Sequence, residues 1–466
     1  MTSNKTKEKK QGLTEKNKIN EEKEVMKNKE TKHNNSFLSV QDAMKQGSGS
    51  VAIRGWIHRE RGSSNLKFIV LRDSSNIIQC VIEKSVVGEE KFKVADKLQI
   101  EASIEVFGDI KEDKRAPTGY EVHVKSFVVV GECDTFPITK DQGTEFLADN
   151  RHLWLRSRKM TAILKVRSTV FGAIHEYFRS QSFYEYQSPI FQSVQCEGGS
   201  TLFSVNYFNQ KGVFLAQTWQ LYAEPAIFGL EKIYTIAPSF RAEKSKTSRH
   251  LTEYWHAEME FAWSTFSEII NHGEQVIKHI IKKVLETNKP ELEILGRDIT
   301  KLEPSLNKPF VRITYDEALK ILKEKCNLNV EWGKDLRTIE EDELVKSFDR
   351  FVIVTNYPKI VKAFYMKEDP KNPDVVQGTD FLAPEGYGEI IGGSQREERL
   401  EEIKKRLVEM GEKVEEYSFY LDTRKYGSVP HGGFGLGVER LISWICGLEN
   451  IKDAIPFPRT MIRWKP

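Results

Sequence analysis

The sequence predicts a chain in two folded parts, a small all-β barrel followed by a larger α+β domain. Three observations carry this. Five short β-rich runs with turns between them fall between residues 37 and 134. From about residue 138 onward, long helical stretches alternate with strands in mixed order. The first 35 residues are Lys, Glu, Asn and Thr with almost no large apolar side chain. At 466 residues the chain has room for two to four domains and a large core.

Taken in order, residues 1–35 cannot bury enough apolar surface to repay ordering, so a disordered Lys/Glu-rich extension is expected. Its lysines offer weak, salt-sensitive attraction to RNA; a solvated tail of no fixed role explains the same composition. Strands are expected over residues 51–57, 67–71, 77–82, 98–106 and 120–130, giving a five-stranded closed barrel of OB type over 36–131. Residues 132–140 read as a linker, and 141–466 as the larger domain. In that domain Ile163, Val166, Val170, Phe171, Ile174 and Phe178 recur at helical steps. A turn at 180–182 leads to a short strand, 183–189, ending in Pro189. Strands are expected at 232–240 and 253–261, with a long polar loop between them, and a helix at 265–287 that has no evident task.

Composition excludes several classes. Net charge is +2, so RNA contact would come from local patches rather than a global basic field. The five cysteines form no Cys-x-x-Cys pair and no metal-ligand spacing, which suits a reducing compartment. No apolar run approaches the roughly 18 residues needed to span a bilayer. The N-terminus lacks a signal-peptide core, and the cytoplasm is the expected location.

The most informative stretch is His431-Gly-Gly-Phe-Gly-Leu-Gly-Val-Glu-Arg440. Glycine at 433, 435 and 437 clears one face of a strand, so that a flat ligand could lie against backbone. Arg440, at the start of the following helix, could hold a phosphate. No Gly-Lys-Ser/Thr follows, so this is not the phosphate loop of common NTPases. The loop after 232–240 opens Phe240-Arg-Ala-Glu243 and closes Arg249-His250.

These two segments and the helix–strand ending at Pro189, in this order, resemble the three signature motifs of a class II aminoacyl-tRNA synthetase. Gly392-Gly-Ser-Gln-Arg-Glu397 and Tyr420-Leu-Asp-Thr-Arg-Lys-Tyr-Gly-Ser-Val-Pro-His431 are similar to the asparaginyl members, particularly the archaeal-type branch. The likeness runs from about residue 37 to the C-terminus. It implies an antiparallel catalytic sheet flanked by helices. The implied reaction is ATP-dependent: an aminoacyl-adenylate forms with release of pyrophosphate, and tRNA then takes the amino acid with release of AMP. It also implies Mg2+ alongside ATP and a homodimer built through the first motif.

By the same resemblance, Arg241 contacts the α-phosphate and the substrate carboxylate, and Glu243 the adenine amino group. Arg249 and His250 hold the outer phosphates, and Leu251 backs the nucleotide. Phe240 and Arg440 sandwich adenine, with Gly437 leaving room for the ring. Arg241, Arg440 and Glu389 would be catalytic. Glu389 would bind the metal, with Asp380 joining it through water or meeting the substrate ammonium. Gly392 stands where aspartyl relatives often carry a serine, which leaves the second half of the metal site open. Phe68 and Gln79 would read the central anticodon uridine, which asparagine and aspartate tRNAs share. Glu439 is expected in a structural ion pair.

Glu197 and Gln220 match positions around the substrate amine, and Arg396 matches the arginine facing the side-chain carbonyl. Ala223 stands where aspartyl enzymes place a lysine. With that cation gone, a second buried carboxylate would be poorly compensated. Glu224 is expected to accept from an amide NH2 while repelling a carboxylate, so that Arg396 and Glu224 together complement asparagine. An aspartyl enzyme, including one that charges both tRNAs, a catalytically silent RNA-binding paralogue and an amide-forming ligase on the same fold stay open.

Overall fold

The computed structural model describes residues 36–196, 202–244, 247 and 249–465. The expected N-terminal extension and Glu197 lie outside the described residues. The chain divides into two compact units, Met1–Gln142 and Gly143–Pro466.

In the first unit, helix α1 (Val40–Gln46) is capped by Ser39, whose side chain accepts from the Asp42 amide. It precedes a closed barrel of β1 (Gly49–Gly62), β2 (Leu66–Arg72), β3 (Ile77–Glu83), β4 (Ser103–Glu112) and β5 (Tyr120–Gly131), in the order β1-β2-β3-β5-β4. Helix α2 (Glu89–Lys97) lies between β3 and β4. The fourth strand starts at Ser103, not at residue 98 as expected. Glu101 adopts φ +71° and donates its amide to Ile57, and its carboxylate takes both bonds from the Arg72 guanidinium. A left-handed residue breaks the extended run that Leu98 and Ile100 imitate in sequence. Alternation is strict in β2: Ile69 and Leu71 are fully buried while Phe68 and Val70 face outward.

The second unit opens with two short helices, Thr144–Asp149 and Arg151–Trp154, followed by the long helix α3 (Arg158–Ser180) and a two-residue strand β6 (Tyr184–Glu185). A ribbon of β7 (Phe191–Gln192) and β8 (Phe214–Leu215) and the short helix α4 (Gln220–Ala223) follow. Strands β9 (Lys232–Phe240) and β10 (Glu253–Ala262) form the expected long hairpin, paired from Phe240↔Glu253 to Lys232↔Phe261. Then come α5 (Phe266–Thr287), β11 (Val311–Thr314), α6 (Tyr315–Cys326), α7 (Thr338–Val345) and β12 (Val352–Thr355). Reciprocal capping boxes, Thr265 with Glu268 and Thr314 with Glu317, start α5 and α6. The hairpin β13 (Glu368–Asp369) and β14 (Asn372–Val376) precedes β15 (Gly378–Ala383) and β16 (Gly388–Gln395). Last are α8 (Ser418–Lys425), β17 (His431–Gly437) and α9 (Val438–Cys446).

The main sheet runs β11-β12-β15-β16-β17-β10-β9-β6 and is antiparallel except at its two ends, where β11 joins β12 and β6 joins β9 in parallel. The amphipathic α3 lays Ile163, Val166, Val170, Ile174 and Phe178 against α5, α9 and the sheet residues Met259, Phe434 and Leu436. Each such side chain stabilises by about 1.5–3 kcal/mol when fully buried. This packing fixes β9, β10, β16 and β17 side by side as a rigid floor.

Candidate active site

The β9–β10 hairpin, β16, β17 and the first turn of α9 enclose a cleft of about 150 Å3. Arg241, Glu243, Arg249, His250, Leu251, Glu389, Gly437 and Arg440 all line it, although they come from three distant segments. Arg241 follows directly on β9, and its backbone amide continues the ladder to Thr252. Its guanidinium stands 5.7 Å from the Tyr254 ring and 3.9 Å from Glu243. Arg440 is steadied by donating to the Glu389 carbonyl at 2.7 Å. Leu251 joins Ile451 and Ile455 in an apolar wall. Burial, and then the charge of Arg440, push the His250 imidazole below its ordinary value.

Two expectations change here. Phe240 does not line the cleft; the aromatic ring that does is Tyr254, one step along the return strand. The register of the hairpin decides this: Tyr254 pairs with Ser239 and Phe240 with Glu253, so the two rings point to opposite faces. The glycine row also works differently from the flat bare face expected of it. A Cβ on Gly433 would lie 2.2 Å from a Glu260 oxygen, and one on Gly435 would lie 2.6 Å from the His256 ring. Those glycines make room for the protein's own side chains on β10. Only at Gly437, where the nearest atoms are 3.8 and 4.0 Å away, does the missing side chain leave open space.

Glu439 is buried and takes Arg167 of α3 at 2.6 Å and the Trp255 amide at 2.8 Å, the structural ion pair expected of it. It ties the first-motif helix to the strand that carries Tyr254.

A second cavity, about 220 Å3, adjoins the cleft and shares Arg241, His256, Glu389 and Gly435 with it. Gln220, Glu258, Glu260, Lys362, Asp380 and Arg396 line it. Arg396 is buried and grips Glu260 with two bonds, 3.0 and 2.8 Å. Lys362 donates to Asp380 at 2.8 Å. Burial opposes the charge on each, and Glu260 and Asp380 respectively more than offset it, so both stay cationic.

Glu224 does not face this cavity, which corrects the role expected of it. Its carboxylate is fully buried and already engaged: Gln220 donates at 2.9 Å, Arg424 at 2.5 Å, His431 lies at 3.0 Å, and Arg396 Nε stands 4.0 Å away. Burial opposes its charge, yet Arg424 and His431 hold its carboxyl well below the usual range. Ala223 packs with Trp219, Ile227 and Ile233 in an apolar cluster. The acceptors that do face the cavity, Glu258 and Glu260, sit on β10 at alternate positions. Sequence reasoning could have found them from the i, i+2 spacing after His256.

Glu224, Glu260 and His431 are close enough to chelate a metal, but Arg424 and Arg396 already neutralise the carboxylates. A better cation seat is at Glu389. A Cβ on Gly392 would meet Glu389 Oε1 at 2.6 Å and Asp380 Oδ1 at 3.8 Å, so glycine is what lets both carboxylates point there. Glu341, on α7, adds a third acidic group. Burial and the negative charge of Glu389 push its carboxyl up to about 8. Carboxylate oxygens gathered in this way fit a hard divalent cation.

In the barrel, Val70 pairs with Gln79 and Phe68 with Val81, so Phe68 and Gln79 are diagonal neighbours on one outer face. Arg61 lies 5.0 Å over the Phe68 ring, and Gln79 donates to Glu121 at 2.9 Å.

Residues 143–461 match the family model described as tRNA synthetases class II (D, K and N). The chain belongs to that family. Residues 51–130 match an OB-fold nucleic acid binding domain. Among class II relatives, the asparagine–tRNA ligase of Thermoplasma acidophilum is 50% identical over 416 residues, 89% of this chain and 96% of that one. The asparagine–tRNA ligase of Symbiobacterium thermophilum is 44% identical, covering 91% and 99%. The crystal structure of asparaginyl-tRNA synthetase from Pyrococcus horikoshii complexed with asparaginyl-adenylate superposes with a TM-score of 0.89 at 46% identity, covering 92% of this chain and 100% of that one. An aspartyl tRNA synthetase from Entamoeba histolytica reaches 0.82 at 25% identity. The chain is thus a class II synthetase whose likeness is greatest to the asparaginyl branch.

Proposed function

We propose that this synthetase joins L-asparagine to its tRNA in two steps. The asparagine carboxylate oxygen bonds to the α-phosphorus of ATP while the bond to the bridging oxygen breaks, and pyrophosphate leaves. The terminal ribose hydroxyl of tRNA then attacks the activated carbonyl, and AMP leaves with the broken carbonyl–oxygen bond. Neither step needs a protein nucleophile, so positioning and charge supply the catalysis.

The observation that carries the reading is the convergence of Arg241, Arg249 and Arg440 on one cleft that opens directly into the cavity bearing Arg396. Arg241 borders both spaces, where an α-phosphate and an amino-acid carboxylate must meet. Its planar fork suits both anions. Glu243 would accept from the adenine amino group, and Tyr254 and Arg440 would flank the base. Arg249 and His250 would take the outer phosphates. Mg2+ is the proposed ion at Glu389, with Asp380 and Glu341 near it. When bound, it would draw negative charge from the phosphate oxygens. Glu197, outside the described residues, keeps its proposed place near the substrate amine, with Gln220.

A neutral substrate side chain is favoured because Arg396 and Lys362, the two cations beside the amino-acid end, each already hold a carboxylate. A second substrate carboxylate would find them neutralised. On the barrel, Phe68 would stack on a base. Gln79, whose NH2 is engaged by Glu121, would offer its carbonyl to the N3–H of a uracil. A homodimer through the first motif is also proposed, since β6 is the sheet's edge strand and its Tyr184 is 61% exposed. Sedimentation at micromolar concentration tests that part. The cytoplasm is the proposed compartment, where unpaired thiols persist. No described helix is long and apolar enough to cross a membrane.

The decisive experiment is ATP–pyrophosphate exchange with each of the twenty amino acids. Asparagine should support exchange far above the rest. Exchange with aspartate at an equal rate would refute the specificity, and exchange with none would refute the activity.

A further inference from the structure

Helix α7 lies in the stretch between β11 and β12 that no sequence motif explained, yet it reaches the nucleotide cleft. Asp342 of α7 accepts from Arg249 Nη2 at 2.8 Å. The same nitrogen donates to the carbonyl of Gly386. Arg249 Nη1, by contrast, is buried and has no hydrogen-bond partner among the described residues. It hangs over Gly388, 3.6 Å from where a Cβ would stand. Gly388 is the residue before Glu389.

The seat is rigid. Glu385, Gly386 and Gly388 all have positive φ, 62°, 79° and 71°, and form a tight turn between β15 and β16. Arg297 pins that turn with two bonds to Glu385, 2.9 and 2.6 Å. A Cβ on Gly386 would lie 3.6 Å from Asp342 Oδ1 and 3.8 Å from Arg249 Nη2, so the turn, the carboxylate and the guanidinium pack as one unit. Arg249 itself comes from a long polar loop. An arginine there carries rotamer entropy that a ligand would otherwise have to remove. With Nη2 held by Asp342 and the Gly386 carbonyl, the guanidinium is fixed beside the cleft it lines, and Nη1 keeps a free hydrogen-bonding capacity.

We propose that Asp342 is a positioning residue for ATP. Anchored against the 385–388 turn, it holds Arg249 in the orientation that grips the β- and γ-phosphates. The inference rests on reading the cleft as an ATP site. It adds a task for α7: setting polyphosphate affinity without touching the nucleotide.

The test separates ligands that carry the outer phosphates from one that does not. ATP, pyrophosphate and a sulfamoyl analogue of asparaginyl-adenylate are titrated calorimetrically into the full chain. Asp342→Ala and the isosteric Asp342→Asn should each weaken ATP and pyrophosphate by about tenfold, the scale of one charge-assisted contact. The analogue, which has no β- or γ-phosphate, should bind within about twofold of the wild type. Arg249→Ala should cost at least as much, and adding Asp342→Ala to it should cost nothing further, because the aspartate acts through the arginine. In pyrophosphate exchange the KM for ATP should rise while the KM for asparagine stays put. Equal weakening of ATP and the analogue would reduce Asp342 to a tether of the fold and overturn the proposal. So would additive losses in the double variant, unchanged ATP affinity, or tighter ATP binding, which would make Asp342 a competitor for Arg249. A wild-type chain that binds the analogue but responds to Asp342 in none of these ways sinks this inference and leaves the synthetase reading standing. A wild type that binds neither ATP nor the analogue sinks both.

Discussion

The two ends of the active site handle charge in opposite ways. At the nucleotide end the contacts around Glu243 are loose and partly in solvent, although Arg249 keeps its close pair with Asp342. Arg241 is 3.9 Å from Glu243, His250 is 3.7 Å from the same group, and these side chains are about 28–33% exposed. At the amino-acid end the pairs are short and dry: Arg396 with Glu260 at 2.8 Å and Arg424 with Glu224 at 2.5 Å, all between 0 and 4% exposed. Loose pairs yield to a polyphosphate at little cost, since exposed ion pairs contribute about 0.2–1 kcal/mol. Dry pairs do not yield, because parting them strands a buried charge. One end is therefore made to receive a highly charged ligand, and the other to receive a neutral side chain against a prearranged polar wall.

The largest effect expected from this contrast is at the loose end. Arg440→Ala removes a guanidinium that faces the cleft, and adenylate formation should fall by about 10²–10³, the usual cost of deleting one preorganised transition-state donor. Single-turnover formation of the adenylate measures it. A loss under tenfold would mean that Arg440 serves the fold rather than the phosphates.

The dry end breaks in a way that tells its two carboxylates apart. Glu260→Gln frees Arg396 to meet a substrate carboxylate. The aspartate-to-asparagine ratio in pyrophosphate exchange should then rise by roughly ten- to a hundredfold, one charge-assisted contact of about 1.5–3 kcal/mol. Glu224→Gln strips Arg424 and His431 of their shared partner, and should cost about 3–5 kcal/mol of stability with the ratio unchanged. Denaturant melts read the second effect. If Glu224→Gln alters the ratio as much as Glu260→Gln does, the assignment of the cavity wall is wrong.

Much of the loose end was legible in the sequence because its charges hang on elements set by local pattern. The strand 232–240 and its return were bounded almost to the residue, which placed the loop carrying Arg241, Glu243, Arg249 and His250, while their tasks came from the class II resemblance. Phe68 and Gln79 come from the resemblance, and the period-two alternation of β2, with Ile69 and Leu71 inside, explains why Phe68 faces outward. Glu224 was misread because its partners arrive from 200 and 207 positions downstream, a pairing no local pattern encodes. Asp342 and Glu341 stayed invisible on a short acidic helix, where a solvated face is the ordinary meaning of such residues. Phe240 comes from the family resemblance alone, whereas strand pairing decides which ring reaches the cleft.

Outside the active site the comparison extends to the barrel, whose outward-facing Phe68 ring should matter to one substrate alone. Phe68→Ala should lower kcat/KM for tRNA charging by an amount equivalent to about 1–3 kcal/mol, the worth of one stacked base. ATP–pyrophosphate exchange should be unaffected. Equal losses in both assays would assign Phe68 to the stability of the barrel.

The smallest effect is a proton. His250 is neutral near pH 7 in the free cleft, because burial and Arg440 both push its imidazole below the ordinary value of about 6.5. The outer phosphates of ATP would add negative charge beside it and move it the other way. A base whose pKa rises on binding takes up a proton as the ligand arrives, and affinity then increases as the pH falls through the interval between the free and bound values. Calorimetry of ATP binding at about pH 6.5 in buffers of differing ionisation enthalpy should therefore register fractional proton uptake, and His250→Gln should abolish it. Uptake that survives the substitution would belong to the phosphates or to the acidic groups around Glu389. The loose end would then tune its charge through carboxylates rather than through this imidazole.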